Sequence, residues 1–78
     1  MPDHRAYLTE LKMTFGSALR RHRIDCGLSQ REMSAIHGLS QNVISAVENG
    51  KNNVSLSMMA RLATAVDSNV PAMLTATK

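Results

Sequence analysis

Two Gly-Leu-Ser steps, Gly27-Leu28-Ser29 and Gly38-Leu39-Ser40, constrain this chain more than any other feature. Gly27 sits where a left-handed residue closes a helix, Gly38 breaks the next one, and in each step the serine hydroxyl caps the helix that follows. Ser29-Gln30-Arg31-Glu32 also has the form of a capping box, with Glu32 reaching back to the cap. A second helix therefore starts after Ser29 and runs to about His37, where Gly38 breaks it. Ser40 caps a third that reaches Glu48 or Asn49, ahead of Gly50. Both are only roughly two turns long and bury little alone, so they need longer helices on either side. Such a pair, turning sharply at Gly38 while Met33, Leu39, Ile44 and Val47 point inward, reads as a helix-turn-helix over 30–49.

The flanks supply that support. Upstream, Leu8, Leu11, Phe15, Ala18 and Leu19 recur at helical spacing, and Gly27 ends the segment. Its start lies near Asp3 or only near Thr9, so residues 1–8 are read as an amino-terminal extension of the first helix. Downstream, Lys51-Asn52-Asn53 is a polar loop, and Ser55 caps a fourth helix with an apolar stripe of Leu56, Met59, Leu62, Ala63 and Val66. Asp67-Ser68-Asn69 makes a turn, and Pro71 suits the first turn of a short last helix carrying Met73 and Leu74. No stretch alternates with period two. The expected fold is all-α: one compact five-helix bundle over residues 1–78, with ends at 1–5 and 75–78 that fray.

Composition narrows the function. The 78 residues leave room for one domain with a thin core, and the two aromatics, Tyr7 and Phe15, are too few for a base-stacking platform. A lone cysteine, Cys26, rules out an internal disulfide, and the three histidines lack metal-ligand spacing, so neither metal nor cofactor is expected. No apolar run is long enough for a membrane span and no secretory signal opens the chain, which points to the cytoplasm. The net charge of +3 leans mildly toward polyanions. Arg20, Arg21 and Arg23 fall together, and a solvated helical face accounts for them as well as a polyanion contact does.

The outer face of the third helix carries Gln41, Asn42, Ser45 and Ala46, with Asn49 at its end. It is short, uncharged and rich in hydrogen-bonding groups. Amides of Gln and Asn pair in bidentate fashion with adenine, a serine donates or accepts, and an alanine methyl touches the thymine methyl.

From Phe15 to Leu74 the chain resembles the Cro/C1-type helix-turn-helix regulators, a family with the lambda-repressor-like fold. The residues that carry the likeness are Phe15-Gly16-x-x-Leu19-Arg20-x-x-Arg23, Gly27-Leu28-Ser29-Gln30, Gly38-Leu39-Ser40, Ile44-Ser45-x-x-Glu48-x-Gly50 and Leu56-x-x-Met59-x-x-Leu62-Ala63. Asn53-Val54-Ser55-Leu56 is also similar to restriction-modification controller proteins.

The resemblance implies a homodimer on a dyad-symmetric double-stranded DNA operator, its half-sites about 34 Å apart. Gln41, Asn42, Ser45 and Ala46 would read bases. Ser29, Gln30, Arg31, Ser40, Asn49, Lys51 and Asn52 would grip phosphate, Ser29 being a cap first. Arg23 and Glu48 match an ion pair that joins the first and third helices, a structural role. Met58, Val70, Met73 and Leu74 offer more apolar surface than a monomer needs and are assigned to the dimer contact.

Two departures from the family pattern stand out. Ser34 replaces the usual alanine, its hydroxyl free to bond to the preceding turn, and His37 follows an unusual Ile36, which is exposed unless the second helix is rotated. Neither touches the reading face. An antitoxin-type module that binds a protein and represses its own operon is the alternative reading, weakened by the lack of a long tail to wrap a toxin. Catalysis is not expected, because His4, His22 and His37 have no acid or nucleophile at useful spacing.

Overall fold

The computed structural model describes residues 4–75, which form five helices: α1 (His4–Asp25), α2 (Gln30–His37), α3 (Gln41–Glu48), α4 (Leu56–Ala65) and α5 (Val70–Leu74). Among these residues there is no strand. Of the ends expected to fray, His4, Arg5 and Thr75 are described, the first two being helical, while 1–3 and 76–78 lie outside the described residues.

Four helices start on one device. The side chains of Ser29, Ser40, Ser55 and Asn69 accept from the amides of Glu32, Val43, Met58 and Ala72, at 3.0, 3.3, 3.1 and 2.9 Å. At α2 the box is complete, because the Ser29 amide donates to Glu32 Oε1 at 2.8 Å. That bond holds the Glu32 carboxyl below its ordinary range. The helix ends also share a geometry. The amides of Leu28, Leu39, Lys51 and Ser68 each donate to a carbonyl five residues back, on Arg23, Ser34, Ala46 and Ala63. Such a ring needs a left-handed residue inside it. Gly38 supplies it at φ 65° for the sharp turn between α2 and α3, and Asp67, at φ 61°, does so without a glycine.

The core joins Phe15, Ala18 and Leu19 of α1 to Met33 and Leu39, Ile44 and Val47 of α3, Leu62, Ala63 and Val66 at α4, and Met73 of α5. Met33, Leu39, Ile44 and Val47 thus lie inward as the pattern required. α1 packs on both α3 and α5, and so forms the spine to which the helix-turn-helix is fastened. Its residues from His4 to Glu10 are all exposed, so the helix begins before its burial does.

Several expectations are corrected. Met73, assigned to a contact between copies, is fully buried in its own chain because α5 folds back onto α1 and α4. It has no surface to offer a partner. Leu56, placed on the inward stripe of α4, is 76% exposed, since as the first residue of α4 it sits on the rim of the bundle. Leu8 is 40% exposed, and the buried face of α1 begins only at Leu11, which is half-buried. Ser34 does not bond to the preceding turn: its hydroxyl donates forward to the Leu39 carbonyl and ties the turn shut. Ile36 is exposed.

Candidate nucleic-acid interface

The position of α3 is set by a close approach and a polar clamp. At the approach, Gly16 of α1 faces the backbone of α3, where a Cβ on Gly16 would lie 2.1 Å from the Val47 carbonyl oxygen. The helices can cross this closely only because no side chain intervenes.

The clamp is built around Glu48. Arg23 Nε donates to Glu48 Oε2 at 2.7 Å and Nη2 to Oε1 at 3.0 Å, while Nη1 reaches the Leu28 carbonyl at 2.7 Å. Gln30 Nε2 adds a further donor to Glu48 Oε1 at 3.1 Å. The Arg23 and Glu48 side chains are only 11% and 3% exposed. The hydrogen bond to Glu48 pushes the guanidinium pKa above its already high value, against the opposing effect of burial. The Glu48 carboxylate thus joins the end of α1 and the first residue of α2 to the last residue of α3, and Arg23 extends the clamp to the loop before α2. Charge-assisted forks of this kind fix orientation as well as distance.

On this frame α3 turns a polar face outward. Gln41 and Asn42 are exposed at its start, and Ser45 and Ala46 are half-buried behind them. Asn49 is exposed, but its Nδ2 donates to the Ser45 carbonyl at 2.8 Å and caps its own helix. Ser29, Arg31, Ser40 and Lys51 are exposed, whereas Gln30 and Asn52 are half-buried. Gln30 spends one N–H on Glu48 and keeps the other. The amides of Asn49, Gly50 and Lys51 all donate to α3 carbonyls, so any grip from this turn comes from its side chains.

The resemblance pointed to the Arg23–Glu48 pair, but the Gln30 link and the role of Gly16 were not foreseen. A glycine within an amphipathic helix, beside Phe15 on the apolar face, is the signal that marks such an approach. Among the described residues no group of His, Cys, Asp or Glu is arranged to hold a metal, and no helix is long and apolar enough to cross a membrane.

Two short helices at a tight turn, backed by α1 and carrying an uncharged polar face, define a helix-turn-helix DNA-binding fold. A family model described as helix-turn-helix matches residues 19–70. The control protein C.SmaI of Serratia marcescens is 35% identical over 75 residues, which cover 96% of this chain and 89% of that one. The restriction-modification controller protein C.AhdI of Aeromonas hydrophila superposes with a TM-score of 0.71 at 37% identity, covering 80% of this chain and 94% of its own. The hypothetical transcription factor NHTF from Neisseria gives 0.77 at 28% identity, over 95% and 80% of the two chains. The chain belongs to the Cro/C1-type helix-turn-helix family of DNA-binding transcription regulators.

Proposed function

We propose that this protein is the controller of a restriction-modification system, a single domain that acts in the cytoplasm and binds its operator as a homodimer. The likeness to two controllers, C.SmaI over almost the whole chain and C.AhdI over most of it, supports this. The observation that carries it is the placement of Gln41 and Asn42, exposed and uncharged on a helix held rigidly from behind by Arg23 and Glu48.

Gln41, Asn42, Ser45 and Ala46 read base edges in the major groove. Ser29, Gln30, Arg31, Ser40, Asn49, Lys51 and Asn52 hold the backbone on either side, Gln30 through the N–H that Glu48 leaves free. The two-fold contact falls to α4 and α5 through Met58, Val70 and Leu74, which are half-buried, and exposed Leu56, which shares a groove with Leu74. So small a reader discriminates poorly alone, and pairing two half-sites supplies the missing specificity.

Selection of operators from random duplex DNA tests this reading: the selected sites should show dyad symmetry. Gln41→Ala should relax preference at one position per half-site, while Lys51→Ala should weaken binding to all sequences and lower the salt slope by about one. Unchanged affinity and preference in both Gln41→Ala and Asn42→Ala would show that α3 is not the reader.

A further inference from the structure

We propose that Arg20 of α1, with the Ser17 hydroxyl beside it, seats a DNA backbone phosphate outside the helix-turn-helix. The inference rests on the DNA-binding reading and extends its footprint.

Arg20, Arg21 and Arg23 form one cationic run, and the structure divides it. Arg23 is consumed by Glu48 and the Leu28 carbonyl. Arg20 and Arg21 are exposed and have no hydrogen bond or ion pair to any described residue. Both line a shallow notch with Ser17, Ile24, Asp25 and Glu48, where the flank of α1 meets the end of α3.

The charges of the notch select an anion at Arg20. Glu48 contributes little negative potential, because both its oxygens accept from Arg23 and its side chain is 3% exposed. Asp25 stands four residues after Arg21 on the same helix, close enough to offset that arginine in part. Arg20 has no acid three or four residues away in either direction. Ser17, one turn back, presents a hydroxyl to the same notch. A planar guanidinium with a neighbouring hydroxyl suits two oxygens of one phosphodiester.

Position selects the duplex as the source of that phosphate. The notch borders Glu48, which is hydrogen-bonded to Gln30 and directly precedes Asn49. Arg20 therefore continues the line of groups proposed to grip the backbone at the start of α2 and the end of α3.

The test measures duplex affinity against salt concentration for the wild type, Arg20→Ala, Arg20→Lys and, as a control for the underlying reading, Lys51→Ala. Arg20→Ala should weaken binding to operator and to unrelated duplex alike by about tenfold at low salt, and lower the salt slope by about one. Arg20→Lys should restore the slope, and thermal unfolding should be unchanged in both, since the exposed side chain makes no hydrogen bond or ion pair to a described residue. Loss of affinity for one base sequence only would make Arg20 a reader and overturn the assignment. An unchanged salt slope in Arg20→Ala, with wild-type binding intact, would overturn it as well. A nucleotide that raises the melting temperature of the wild type but not of Arg20→Ala would reassign the notch to a free phosphate. Wild-type protein that shows no salt-dependent duplex binding would instead remove the DNA-binding reading itself.

Discussion

Gly16 of α1 lies so close to Val47 of α3 that a single methyl group at Gly16 would stand 2.1 Å from the Val47 carbonyl oxygen. Backbone cannot yield there as a flexible side chain could, so the whole of α3 would have to move. Gly16→Ala gains about 1 kcal/mol of helix propensity. It should still lose roughly 2 kcal/mol net, because overpacking a tight crossing costs about 1–3 kcal/mol and rigid backbone sits at the upper end. Urea unfolding measures the loss, and a variant as stable as the wild type would disprove the close crossing.

The clamp on Glu48 makes a second prediction. Glu48→Gln leaves Arg23 nearly buried without a counter-charge and should cost about 3 kcal/mol. Replacing both partners, as in Arg23→Met with Glu48→Leu, should recover most of that loss, since apolar groups need no partner. A double-mutant cycle by chemical denaturation reads both effects. DNA affinity of the double variant should stay low, because Gln30 has lost the group that orients it.

Acid should loosen α2 through its cap. The Glu32 carboxyl is held below its ordinary value of 4.5 mainly by the Ser29 amide. A depressed carboxyl contributes stability that is present above the unfolded value and lost as pH falls through the folded one. Glu32→Gln keeps a side-chain acceptor but removes the charge. Its unfolding midpoint should fall below that of the wild type at neutral pH and converge with it once the pH has dropped through the lowered folded-state value. Glu32 is fully exposed, so the difference will be small. A gap that persists at low pH would place the effect elsewhere.

Met73 and Leu56 should behave in opposite ways. Met73→Ala removes a side chain with no exposed surface and should cost about 2–5 kcal/mol. Leu56→Ser alters a side chain that is 76% exposed and should leave protomer stability within about 0.5 kcal/mol. If Leu56 lies in the two-fold contact, the same change raises the dissociation constant of the dimer, which sedimentation at several concentrations detects.

The boundaries of α2 and α3 were legible because they are written in local chemistry. Ser29, Glu32, Gly38 and Ser40 act on amides and carbonyls a few residues away, so their effect needs no knowledge of the rest of the chain. Periodicity likewise placed Met33, Leu39, Ile44 and Val47 inside. At the site, the sequence alone marked Gln41 and Asn42 as outward-facing, and they are exposed.

Periodicity misled at the rims. It assigns a face to every apolar residue of a helix, yet burial also needs a neighbour across from that face. Leu8 and Leu56 sit near helix starts where the bundle covers them only in part, so they keep the spacing of core residues without full burial. Met73 fails in the other direction, because nothing local announces that a five-residue helix folds back under α1 and α4.

The sequence by itself therefore determined where each helix of the motif starts and stops, and that Gln41 and Asn42 of α3 face outward. Only the tertiary structure decided how α3 is held. The Gly16 crossing and the joining of Gln30, Arg23 and Glu48 bring together residues far apart in the chain. Caps and turns are settled by bonds over a few residues, whereas a helix crossing and a shared carboxylate exist only once the chain has closed on itself.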